Sequence, residues 1–241
     1  MRQWVDGRFG WLQDRLGHDR PRNARVVLPT PEFFPDAYDG SRDAALAMFD
    51  RVCGYMNVDP QGFRLFVYES GRLPNLGLGH RSDSTAAGVY LGGSGENGAR
   101  VPAIGIEESQ LADPMSLVAT LAHEIGHEIL LGQRHVAHDT PDHEPLTDLL
   151  TVFMGMGIFP ANATIRDRGW TGVATQGWQT SRLGYLDQRT FGYALARFAH
   201  ARGETAPAWV KHVRPDVRAP LLQGLRFLAR ESNTGRDGGR R

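Results

Sequence analysis

Apolar side chains recur every three to four positions over residues 2–17, 42–56 and 115–131, and that period predicts three amphipathic helices. In the first, Trp4, Trp11, Leu12 and Leu16 stand among charges of mixed sign, as in a helix packed on its own domain. In the second, Ala45, Leu46, Met48, Phe49 and Val52 share one side, and Ser41 is placed to cap the start. The third opens on Asp113-Pro114, an N-cap followed by proline at the first helical position, and ends at Gly132. Its apolar positions are Leu117, Val118, Leu121, Ile125, Ile129 and Leu130. Further helices are expected over 144–158, 187–202 (capped by Asp187) and 215–230.

Shorter runs predict strands. Phe63 to Tyr68, Gly88 to Leu91 and Val26 to Leu28 are apolar and β-branched or aromatic. Arg100 to Glu107 alternates, with Pro102, Ile104 and Ile106 on one side, and Pro102 favours an edge position. The tryptophan- and glycine-containing stretch 168–186 predicts a hairpin or an ordered loop. Residues 232–241 are polar and glycine-rich, as in a disordered tail. The stretch from Gly71 to Gly98 is rich in glycine. An α+β domain follows, with a small twisted sheet packed on helix 115–131 and a mainly helical C-terminal half. The expected division is a strand-containing unit over 1–113, a helical unit over 114–231, and the tail 232–241.

Composition narrows the choice of partner. The 241 residues carry 27 basic and 27 acidic side chains, so no net field favours nucleic acid or an anionic membrane surface. No apolar run is long enough to span a bilayer, and Met1 to Arg8 lacks the core of a secretion signal. A cytoplasmic protein is expected. The single cysteine, Cys53, excludes an internal disulfide and falls on the apolar stripe of helix 42–56. Nothing in the sequence sets an oligomeric state.

The candidate chemistry lies on the third helix, where residues 123–127 read His-Glu-Ile-Gly-His. Histidines four apart on a helix project from nearly one face, so His123 and His127 can reach one metal ion. Glu124 is then held beside that ion as a base for water. A catalytic zinc wants a third protein ligand. Glu144 and Asp148 lie one turn apart at the start of the next helix, and either could serve. His135, His138 and His143 compete from the intervening loop.

With Glu144-Pro-Leu-Thr-Asp148 following the motif, residues 100–158 resemble the gluzincin metallopeptidases. The resemblance implies a zincin-like fold, one zinc ion and hydrolysis of a peptide bond, with Glu124 as general base. It makes Glu144 the third ligand and Asp148 the partner that orients His123. It also implies a peptide or protein substrate held along strand 100–107, and an oxyanion donor downstream, for which Tyr185, Tyr193 and His200 are candidates. Two readings compete: a non-peptidase enzyme with a 2-His-1-carboxylate metal site, and a catalytically silent zincin-like binding protein.

Overall fold

The computed structural model describes residues 1–69, 88–92, 101–163, 165–171, 176–182 and 184–237. It is a mixed α+β structure in which helices predominate around a three-stranded sheet. The helices are α1 (Arg2–Leu16), α2 (Arg20–Asn23), α3 (Arg42–Met56), α4 (Pro114–His127), α5 (His143–Phe153), α6 (Ile158–Ala163), α7 (Gln188–Ala201) and α8 (Pro215–Asp237). The strands are β1 (Arg64–Tyr68), β2 (Gly88–Leu91), β3 (Ala103–Glu107), and the paired β4 (Ile165–Thr171) and β5 (Gln176–Arg182).

The starts of three helices follow from their caps. Ser41 Oγ accepts the Ala44 N–H at 3.1 Å, Asp113 Oδ1 that of Ser116 at 3.2 Å, and Asp187 Oδ1 that of Thr190 at 2.7 Å. Each satisfies an amide that the first helical turn leaves without an internal partner.

The sheet order is β1-β3-β2, so β3 is central, parallel to β1 and antiparallel to β2. This corrects the edge position expected for 100–107. Pro102 precedes the ladder instead of interrupting it, and its carbonyl accepts the Arg64 N–H at 2.9 Å. With both edges of β3 paired, strand addition along 103–107 is closed. β1 and β2 are the outer strands of this sheet among the described residues, and β2 lies on α4.

Other expectations need adjusting. Residues 26–28 form no strand, although the Val27 N–H donates to the Gly155 carbonyl at 3.0 Å. The helix expected over 144–158 is two helices, because the chain turns at Gly155 with φ of 88° before α6 begins. Helix α8 continues to Asp237, into the stretch expected to be disordered, and 238–241 lie outside the described residues. Much of the glycine-rich stretch, 70–87 and 93–100, lies outside them too.

The larger hydrophobic core runs through the fold, from Val5 and Phe9 on α1 through Leu121 and Phe153 to Leu228 on α8, and a smaller cluster of Tyr68, Val89, Leu91 and Ala103 lies on the sheet. The core therefore crosses position 113. Phe9 meets Phe153 edge-on, with ring centroids 5.3 Å apart. Among the described residues, no helix is long and apolar enough to cross a membrane.

Helix α1 is also tied to the start of α5. Trp4 Nε1 donates to Asp142 Oδ2 at 2.8 Å, while Arg8 donates to Oδ2 at 2.7 Å and to Oδ1 at 2.5 Å. A two-point arginine–carboxylate pair fixes direction as well as distance. Burial alone would raise the Asp142 pKa, but the Arg8 and Trp4 hydrogen bonds outweigh it and hold the carboxyl below its ordinary value. A depressed carboxyl pKa stabilises the fold above the unfolded value of about 3.9, and that stability is lost as the pH falls through the folded value. Asp142→Asn should cost about 2 kcal/mol near neutrality. Its melting temperature should converge on that of the wild type as the pH falls through the depressed folded-state value.

Cys53 is fully buried on α3, where burial pushes the thiol up to about 12. It should resist thiol reagents in the native protein and react once denaturant unfolds the chain, read by labelling stoichiometry.

Candidate metal centre

Helix α4 is buried nearly all round, which is why its polar residues must find partners. His123 and His127 lie one turn apart on it, with ring centroids 4.7 Å apart and planes nearly perpendicular. After His127 the helix widens into a π turn, Glu128–Gly132, closed by the Gln133 N–H on the Glu128 carbonyl at 2.9 Å. A loop then leads to α5, which packs against α4 and brings Glu144 to the histidines.

Glu144 Oε2 lies 3.1 Å from His123 Nε2 and 3.2 Å from His127 Nε2. Ligand atoms about 2.1 Å from a tetrahedral cation stand about 3.4 Å apart, so the spacing suits a small metal ion. These three residues are the group that could hold a metal ion among the described residues.

The rest of each ring points outward. His123 Nδ1 lies 2.9 Å from Asp148 Oδ1 and donates to it. Asp148 is 1% exposed, and its Oδ2 accepts the backbone N–H groups of Tyr185 at 2.6 Å and Leu186 at 2.9 Å. Its acceptor sites are thus directed to His123 and to the strap 184–186, which places it behind the ring and leaves Glu144 facing the centre. His127 Nδ1 lies 3.4 Å from Thr147 Oγ1, whose own proton goes to the His143 carbonyl at 2.8 Å.

With both Nδ1 atoms donating outward, a neutral imidazole turns its Nε2 lone pair inward. Two such lone pairs and a carboxylate oxygen then face one another, and only a cation between them removes the repulsion. A proton does this in part. Burial disfavours charge on His123, but its hydrogen bonds to Asp148 and Glu144 outweigh that and raise its pKa well above the ordinary value. For His127 burial prevails and the pKa falls. Burial would raise the Glu144 pKa, yet the two histidines hold it far below the usual carboxylate range. A divalent cation satisfies all three donors at once.

Glu124 is 4% exposed and coordinates nothing in this group. Burial, joined by the charge of Glu144, raises its pKa to about 7, against the opposing effects of His123 and of the Tyr90 backbone N–H bonded to it. A carboxyl titrating there can both take and return a proton near neutrality. The Tyr90 hydroxyl donates to Glu128 at 2.6 Å, and its ring stacks on His127.

Of the downstream candidates, Tyr185 reaches the centre. Its ring stacks on His123 with centroids 5.8 Å apart, its hydroxyl is bonded to Glu144, and it remains 47% exposed. Tyr193 instead donates to Asp6, at 2.9 Å to the nearer oxygen, and His200 lies on α7 beside Arg197 and Glu231. His143 stands at the rim, with Nδ1 donating to the Thr140 carbonyl at 2.9 Å and Nε2 3.5 Å from Glu144 Oε1. His135 and His138 lie outside the converging group.

Thr147, Tyr90 and the Arg8–Asp142 pair were not singled out from the sequence. Thr147 had one visible clue, its place between Glu144 and Asp148 on the helix that faces the motif. No family model, curated protein or solved structure matches the chain.

Gly184 brings the strap against Asp148 with φ of 86°, and a Cβ there would stand 3.1 Å from Asp148 Oδ2. Gly203 has a similar φ of 74° and open space around it. Gly184→Ala should therefore destabilise the protein by about 1–3 kcal/mol, measurably more than Gly203→Ala, in urea unfolding.

Proposed function

We propose that this chain is a zinc metallopeptidase of the zincin-like, gluzincin-resembling kind, which hydrolyses a peptide bond with Glu124 as general base. The observation that carries the reading is the convergence of His123, His127 and Glu144 beside a buried carboxyl whose pKa is about 7. A metal site alone would not need that carboxyl. Hydrolysis does.

Zinc held by those three residues would acidify water and polarise a substrate carbonyl. Glu124, oriented by the Tyr90 N–H, takes the proton from water and later gives it to the departing amine. Tyr185, half exposed beside His123, is the donor best placed to reach the carbonyl oxygen as negative charge develops. An extended peptide would run along the outer edge of β2, which borders Glu124, and not along β3.

Metal content by plasma mass spectrometry, on protein purified without added metal, tests the site. About one zinc per wild-type chain is expected, lost in His123→Ala and in Glu144→Ala with the helical circular-dichroism signal retained. Glu124→Gln should keep its zinc and cleave a peptide library about 10²–10⁴-fold more slowly than wild type. Iron in place of zinc, without peptide cleavage, would overturn the peptidase reading in favour of a 2-His-1-carboxylate enzyme of another class. Zinc with no cleavage of any library member would leave a zincin-like binding protein.

A further inference from the structure

The two histidines of the centre are held unequally. His123 rests on a carboxylate that two backbone amides fix in place, whereas His127 rests on a hydroxyl. Thr147, fully buried, has given its proton to the His143 carbonyl at 2.8 Å, so the hydroxyl oxygen meets His127 with lone pairs only. The ring must then donate from Nδ1, and its Nε2 turns towards Glu144.

A second observation places Thr147 there. A Cβ at Gly126 would lie 2.8 Å from the Thr147 methyl carbon, closer than atoms in contact approach. The glycine inside the His-Glu-Ile-Gly-His run is therefore the gap that α5 occupies. Any side chain at 126 would force the Thr147 side chain to shift and disturb a hydroxyl that already reaches the ring only at 3.4 Å.

We infer that Thr147 is the positioning residue for His127, and that Gly126 provides the space that brings the hydroxyl within reach of Nδ1. This role rests on the metal reading proposed above. Outer partners of this sort typically change metal affinity by about 10–100-fold, because they fix which nitrogen faces the ion and how the ring is turned.

Full-length wild type, Thr147→Val and Thr147→Ser are titrated with zinc against a chromophoric chelator, and the His127 Nδ1–H resonance is followed in the zinc-loaded proteins by NMR. Valine keeps the shape and removes the acceptor, while serine keeps the acceptor and removes the methyl. Thr147→Val should bind zinc about 10–100-fold more weakly, and its Nδ1–H should exchange faster with water. Thr147→Ser should recover both properties, which a packing role alone would not give. Valine binding zinc as tightly as wild type, or serine failing as badly as valine, would overturn the role of the hydroxyl while leaving the metal site standing. Wild-type protein that takes up no zinc would instead remove the metal reading, and this role with it.

Discussion

The carboxylate of Asp148 joins three parts of the chain that are otherwise separate. It sits on α5, accepts a hydrogen bond from Nδ1 of a histidine on α4, and accepts two amides from the strap that follows β5. A charge this deeply buried would cost several kcal/mol if any of its donors were missing. The same penalty makes it a strong constraint, because the lowest-energy arrangement satisfies all of its donors together. The orientation of the His123 ring, the path of 184–186 and the stacking of Tyr185 on that ring all follow from one buried group. Glu144, one turn earlier on the same helix, is left facing inward.

Electrostatics at the centre is organised in two tiers. The inner tier gathers two ring nitrogens and a carboxylate oxygen that one cation could satisfy together, and the outer tier supplies acceptors that keep the rings turned inward. Glu124 belongs to neither tier. Burial beside the other carboxylate raises its pKa to about 7, and the Tyr90 backbone N–H bonds to it.

Much of this was legible in the sequence where local signals decide the outcome. Caps at Ser41, Asp113 and Asp187 announced helices that begin where expected, because a cap answers a need internal to the helix. The His-Glu-Ile-Gly-His spacing announced its face for the same reason. Signals that depend on distant neighbours were not legible. Pro102 argued for an edge strand, yet the ladder starts one residue later, and only the positions of β1 and β2 reveal that β3 is enclosed. The run 144–158 looks uniformly helical until Gly155 is seen to carry a carbonyl that Val27 uses. Thr147 is an ordinary helical threonine by sequence. What distinguishes it is the missing side chain at Gly126, on another helix.

The hydrogen bonds from Trp4 and Arg8 to Asp142 span more than half the chain, with sequence separations of 138 and 134 residues. The contact between Asp6 and Tyr193 spans 187. Helix α1 is therefore made well before α5 and α7, the helices that hold it. It must wait, with Trp4, Val5 and Phe9 exposed, until the helices it packs against have been made. Long-range closure of this kind slows folding and lengthens exposure to aggregation. A segment made before its partners is thus among the last to be buried, and the start of α5, with Glu144 in its first turn, is fully braced only after α1 docks.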